Sequence, residues 1–281
     1  MISIIQLGQL DYHEGLRLQQ KLIDLRKAGA IGDVLLLLEH SPVITLGRNA
    51  KAAHVLASAE ALAARGVEVF DCDRGGDVTF HGPGQLVGYP IFDLRGFSRP
   101  PSKINCQEEG EKRIAESLPS WRKTLGAIDY VRRLEEVLLR TCGDFGIPTR
   151  RLAGLTGVWT RSDEAADSVE KKIAALGVHI SRSVTSHGFA LNVNTDLEFF
   201  NLIVPCGITG KPVTSMQKEL GRKLDLSAVA NVVSRNFGTV FGSQMLWVET
   251  IDAFLGNSIG VPMKVPEVLR RVCGEDDLSL A

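Results

Sequence analysis

The run Arg74-Gly75-Gly76-Asp77-Val78-Thr79-Phe80-His81-Gly82-Pro83-Gly84-Gln85-Leu86-Val87-Gly88-Tyr89 decides how this chain is read. It lies between apolar segments at residues 67–70 and 89–94 and reads as one loop-like stretch. Glycine lets backbone approach a ligand closely, and Pro83 stiffens the middle of the run. Arg74, His81 and Gln85 then present donors and acceptors toward whatever lies over it. A plain connector needs few of these features, so the run is expected to be a recognition loop. Gly75, Gly76, Gly82 and Gly84 suit a phosphate cradle, but the pattern is neither a Walker A loop nor a dinucleotide fingerprint.

On the N-terminal side, residues 1–7 read as a first strand. Leu16, Leu18, Leu22, Ile23 and Leu25 among polar residues predict an amphipathic helix over 15–30. Residues 33–39 form a continuous apolar run, as in a strand buried on both faces. A β-rich segment covers 43–48, and Ser58 caps a short helix that ends at Gly66. On the C-terminal side, prolines and serines mark residues 97–126 as a surface excursion. A helix with Asp129 at its cap follows, then a turn and strand at 151–160 and a charged hairpin tip at 162–171. Strands are expected at 172–180 and 187–194, a helical turn at 196–200, and a helix at 225–241 capped by Asp225. The irregular alternation of helices and strands points to an α/β or α+β fold with a mixed sheet.

Composition sets limits. At 281 residues and 44% hydrophobic content the chain can build one large core. A net charge of −1 gives no global field for nucleic acid or an anionic membrane, and no apolar run approaches a membrane span. Five scattered cysteines, without CxxC or Cys/His metal spacing, favour a reduced, cytoplasmic protein without structural zinc.

Several residues are candidates for chemistry. Cys206, between Pro205 and Gly207, sits on stiff backbone where a reactant can come close. It reads as an activated nucleophile or as an inert core cysteine. Cys72 is a weaker candidate of the same kind. Lys172 opens an apolar strand; drawn into a cleft it would serve as a base, but alone it reads as an edge lysine facing solvent. His81 and His187 suit proton transfer or hydrogen bonding that fixes the loop. Arg48, Arg74 and Arg182 suit anions, or are ordinary surface cations, and Trp159 reads as core.

Four segments together resemble the lipoyl(octanoyl) transferase family of lipoate biosynthesis. They are residues 39–47 (EHSPVITLG), residues 74–89, residues 172–178 (KIAALGV) with 187–192 (HGFALN), and residues 205–208 (PCGI). The resemblance spans most of residues 1–242. It implies a mixed β-sheet flanked by helices, like the catalytic domains of biotin and lipoate protein ligases. It implies octanoyl transfer from octanoyl-acyl carrier protein to a lysine of lipoyl-accepting domains, those of 2-oxoacid dehydrogenase E2 subunits and the glycine cleavage H protein. Cys206 and Lys172 take the catalytic pair's positions, through an acyl-cysteine thioester. Arg74, Gly75, Gly76, Thr79, His81, Gly82, Gly84, Gln85, Tyr89, Ala174, Leu176, Gly177, His187, Gly188 and Ala190 fall on substrate-binding segments. Leu155, Val158 and Ala190 are expected to line an acyl slot. No cofactor, metal, nucleic acid or membrane is implied, and a monomer is expected.

The resemblance sets a catalytic domain at 1–242, interrupted at 97–126, and a C-terminal extension at 243–281 with one helix near 266–272. Two other readings stand beside it. An ATP-dependent lipoate or biotin ligase has no use for a thiol nucleophile, and a non-catalytic acyl-carrier-binding module needs neither Cys206 nor Lys172.

Overall fold

A computed structural model describes residues 1–97, 124–160, 169–208 and 210–256. The chain opens with strand β1 (Ile2–Leu10) and helix α1 (Tyr12–Lys27), whose start is capped by the Asp11 side chain. Strand β2 (Asp33–His40) runs parallel to β1. Its alternate leucines face opposite cores: Leu36 and Leu38 pack toward α1, Leu35 and Leu37 toward the other side. That explains the uninterrupted apolar run.

A small sheet follows. Strand β3 (Val43–Leu46) sits between β4 (Glu68–Asp71) and β5 (Val78–His81), with α2 (Ala59–Ala64) capped by Ser58. The large sheet resumes with β6 (Gln85–Ile91). Helix α3 (Ala127–Asp144), β7 (Thr149–Leu152), β8 (Leu155–Thr160), β9 (Lys172–Ser181) and β10 (Val184–Asn192) come next. Helices α4 (Met216–Leu220) and α5 (Leu226–Phe241), strand β11 (Met245–Trp247) and helix α6 (Ile251–Leu255) complete the described chain.

The large sheet has the order β11-β1-β2-β6-β10-β9-β8-β7. Its first three strands are parallel and the rest antiparallel, so the sheet is mixed, as expected. Helices α3 and α5 cover one face through Leu134, Leu138, Val233 and Phe237; α1 covers the other through Leu18, Leu22 and Ile23.

Four sequence expectations need correction. Residues 74–89 are not one loop: β5 belongs to the small sheet and β6 to the large one, and Gly82–Gly84 carries the chain between them. Glycine and proline density concealed two strands. Asp129 lies in the first turn of α3, whose N-cap is Gly126 with no side-chain bond. The hairpin partner of β9 begins at Val184, three residues earlier than expected. The extension from 243 begins inside the fold, since Met245–Trp247 pair with β1 and Ile251 is buried against the α1 core. The ends of the excursion are likewise anchored: Phe97 and Leu125 are buried, and Leu125 N–H donates to Leu94 O at 3.1 Å. The helix near 266–272 and the tip at 162–168 lie outside the described residues.

Candidate active site

Lys172 stands at the first position of β9. Its N–H donates to Pro212 O (2.8 Å) and its carbonyl accepts from Thr214 N–H (2.9 Å), which fastens residues 212–214 beside the strand end. The side chain passes through space left by Gly157, where an added Cβ would stand 2.7 Å from Lys172 Cε. Gly157 also has φ +135, a conformation that side chains disfavour. The ammonium lies 5.0 Å from the centre of the Trp159 ring and donates to Cys206 Sγ at 3.1 Å. Only 6% of Lys172 is exposed, so the solvent-facing reading is excluded.

Cys206 occupies a 3-10 turn, Pro205–Gly207, and is left-handed itself at φ +57, followed by Gly207 at φ +64. Such a conformation costs an L-residue of this kind about 1–2 kcal/mol. Neighbours hold it there. Val204 N–H donates to His54 O (2.7 Å), and Gly207 and Ile208 N–H donate back to Val204 and Pro205 carbonyls at 3.0 Å. A Cβ on Gly207 would stand 2.5 Å from Asp77 Oδ2 and 2.9 Å from His54 Cε1.

Cys206 borders two hollows. The larger, about 470 Å³ of empty space opening to solvent, lies between the small sheet's β5 and strands β6, β10 and β9. The smaller, about 270 Å³, includes Lys172, Gln85 and Phe200. Thr79, Ala175, Ala190 and Cys206 border both. Lys172 therefore approaches the sulfur from the smaller hollow, and the larger cleft reaches it from the other.

The expected binding residues divide. Arg74, Gly76, Thr79, His81, Tyr89, Leu176, Gly177, His187, Gly188 and Ala190 border the larger cleft, and Gln85 the smaller hollow. Gly75, Gly82 and Gly84 border neither. Gly75 N–H is fixed to Val178 O at 3.1 Å, and Gly84 N–H donates to Glu39 Oε2 at 2.6 Å. Ala174 is buried in the core under α3 and α5 and borders neither hollow, whereas the next residue, Ala175, borders both. Val158 is buried in that same core and Leu155 does not border the cleft, so of the three expected slot residues only Ala190 does.

Polar contacts tie the cleft to the strand that carries Lys172. Arg74 is buried and donates to Thr45 Oγ1, Thr45 O and Gly75 O. His81 Nδ1 donates to Gln85 Oε1 (2.7 Å), Gln85 Nε2 to Asn192 Oδ1 (2.9 Å), and Asn192 Nδ2 to Thr214 O (2.9 Å). Thr214 is the residue that binds Lys172 O, so the relay ends at the lysine. Burial pushes His81 down to about 3, with the His40 and Arg74 charges adding to the effect. His81 is thus a neutral donor, which favours its reading as a fixing group. His187 is also lowered by burial, against an opposing bond from its Nε2 to Asp73 at 2.7 Å. It is left-handed at φ +54, with its N–H held by Gln19 Oε1 at 2.8 Å.

Of the other cysteines, Cys142 is buried in the core and its thiol is pushed up to about 12 by burial, as an inert residue requires. The Cys72 thiol donates to Leu46 O at 3.3 Å. Cys106 and Cys273 lie outside the described residues. Among the described residues, no helix is long and apolar enough to cross a membrane, and no group of three or more His, Cys, Asp or Glu side chains is placed to hold a metal.

Sequence reasoning missed Ala175, Asp77, His54 and Glu135. Glu135 is fully buried on α3 and accepts from Gly157 N–H at 3.1 Å, fixing the glycine that clears Lys172. Its capping of Gly157 follows from packing between α3 and β8, which no local pattern records.

The fold is that of lipoate-protein ligase A, whose structure bound with ATP superposes with TM-score 0.62 over 100% of this chain and 97% of its own, at 14% identity. The lipoyl protein ligase A/B catalytic-domain model matches residues 11–126 and 118–238. An octanoyltransferase of Koribacter versatilis is 57% identical over 280 residues, 100% of both chains. Another, of Acidobacterium capsulatum, is 53% identical over 252 residues, 89% of this chain and 94% of its own. The chain belongs to the lipoyl protein ligase A/B catalytic-domain family and, within it, to the octanoyltransferases, which are acyltransferases.

Proposed function

We propose that the protein moves an octanoyl group from octanoyl-acyl carrier protein to a lysine of lipoyl-accepting domains, such as those of 2-oxoacid dehydrogenase E2 subunits and the glycine cleavage H protein, through a thioester on Cys206. The reaction belongs in the cytoplasm, where a free thiol persists. The observation that carries this reading is the 3.1 Å contact of Lys172 Nζ with Cys206 Sγ where two hollows meet.

A thiol is a weak nucleophile until it is ionised, and a neighbouring amine or ammonium supplies that activation. Cys206 thiolate attacks the thioester carbonyl of the donor. The C–S bond to the carrier breaks, and Lys172 returns the proton to the departing thiol. The acceptor amine then attacks acyl-Cys206, the second C–S bond breaks, and Cys206 is regenerated. Thioester exchange is nearly isoenergetic and amide formation is downhill, so the chemistry requires no nucleotide. Gly207 and Ile208 N–H are engaged within the turn, so the candidate oxyanion donors are Cys206 N–H and the glycine run, with Gly76 at the cleft. Val87 and Ala190 give the cleft an apolar lining for the acyl chain, at about 0.8 kcal/mol per buried CH₂.

The test is incubation with octanoyl-acyl carrier protein without ATP, followed by intact mass. One octanoyl adduct, released by hydroxylamine and absent in Cys206→Ala, is expected. Lys172→Ala should acylate at least about a hundredfold more slowly, within the range for general base removal. An unmodified enzyme that labels the acceptor only with ATP and free octanoate would instead establish a ligase.

A further inference from the structure

The reaction leaves one requirement unmet by Cys206 and Lys172. The acceptor lysine arrives as an ammonium and ends as an amide N–H, so it loses two protons. Lys172 can relay one of them to the departing Cys206 sulfur. The other must be taken before the nitrogen can attack, from the side by which the acceptor enters.

Asp77 is the carboxylate on the solvent-open larger cleft, whose other titratable lining side chains besides Cys206 are Tyr12, Arg74, His81, Tyr89 and His187. It borders the larger cleft together with Cys206 but is absent from the smaller hollow that holds Lys172. Its neighbour Gly76, also at the cleft, is exposed, and the Asp77 side chain itself is 13% exposed. The Oδ2 atom lies 2.5 Å from the position of a Cβ on Gly207, the residue after the nucleophile. The carboxylate is held: Oδ1 accepts from Val78 N–H and Oδ2 from His54 Nδ1–H, each at 2.7 Å. Each carboxylate oxygen can accept a further hydrogen bond. His54 Nδ1 is committed to Asp77, which leaves Nε2 as the free ring nitrogen, and its side chain is 22% exposed.

We propose that Asp77, oriented by His54, receives the acceptor's ammonium and that the pair takes its first proton. This rests on the reading of Cys206 as the acyl carrier. The ammonium N–H bonds to the Asp77 carboxylate, and one N–H bond breaks as the proton passes to the Asp77–His54 pair and on to solvent. The neutral amine attacks the acyl carbon, a C–N bond forms, and the C–S bond breaks. The second amine proton travels through Lys172 to Cys206 sulfur. Asp77 is thereby a substrate-binding and catalytic residue for the second half-reaction and idle in the first.

The half-reactions can be timed separately. Wild type, Asp77→Asn and His54→Gln are acylated with octanoyl-acyl carrier protein and freed of donor. They are then mixed with an acceptor domain or, separately, with hydroxylamine, which is largely uncharged at neutral pH. For Asp77→Asn, transfer to the acceptor domain should fall at least tenfold, while acylation and hydroxylamine cleavage stay within threefold of wild type. His54→Gln should show a smaller loss confined to the same step. Equal losses in acylation, hydroxylamine cleavage and transfer would reduce the pair to a brace for the Cys206 turn and overturn the proposal, as would transfer at the wild-type rate. Absence of an acyl-enzyme in the wild type would instead overturn the thioester reading beneath it.

Discussion

At the scale of single residues, the proposed nucleophile is held in a conformation that its side chain opposes. Cys206 is left-handed at φ +57, and backbone bonds from Val204, Gly207 and Ile208 enforce the turn. Strain of this kind collects at functional positions. Replacing Cys206 by Gly should therefore give a protein about 1 kcal/mol more stable than Cys206→Ala, by urea denaturation, with both variants unable to form the acyl-enzyme. Equal stabilities would mean that the turn is unstrained. Neither the turn nor the Lys172 contact was visible in spacing, since the two residues are 34 positions apart and meet only because residues 212–214 fasten beside Lys172. Resemblance to a family identified the pair; the residues' own pattern favoured an exposed lysine. Ala174, expected at the substrate, packs in the core under α3 and α5, a placement that the motif alone does not show.

At the scale of elements, α3 and β8 cooperate to seat the lysine. Glu135 is fully buried and accepts from Gly157 N–H, Arg132 and Arg151. Glu135→Ala leaves the buried Gly157 N–H without its acceptor, whereas Arg132 and Arg151 reach solvent and Arg151 keeps Glu136, so the change should cost about 2 kcal/mol. It should also lower the acylation rate, since Gly157 is no longer fixed beside Lys172. Thermal unfolding and the mass assay check the two effects separately. Elements with a strong periodic signal were legible: β2 by its unbroken leucines, α5 by its Asp225 cap. Strands β5 and β6 were not, because Gly82, Pro83 and Gly84 lie between them and each strand pairs in a different sheet. Their partners, β3 for one and β2 and β10 for the other, are set by tertiary pairing alone.

At the scale of the whole molecule, neutral histidines couple the cleft to stability. Burial holds His40 down to about 4 and His81 to about 3. His40 Nδ1 donates to Leu10 O at 3.0 Å, and Nε2 accepts from Tyr89 O–H at 2.6 Å, so the neutral ring satisfies both partners. In the unfolded chain both histidines titrate near 6.5. The unfolded state then binds more protons below that pH, so their contribution is complete above about 6.5 and is lost as pH falls toward 4. Each steepens the loss by up to about 1.4 kcal/mol per pH unit. The urea midpoint should drop sharply between pH 6.5 and 4.5, and less so in His40→Gln. The mixed sheet itself was expected from the irregular order of elements, but the position of β11 beside β1 was not, since a three-residue strand carries almost no signal. Placing Cys206 where the two hollows meet has a consequence for the cell's economy of encounters. On the proposed thioester reading, a covalently stored acyl group would let donor and acceptor proteins visit one after the other, so the two need never collide in the same instant.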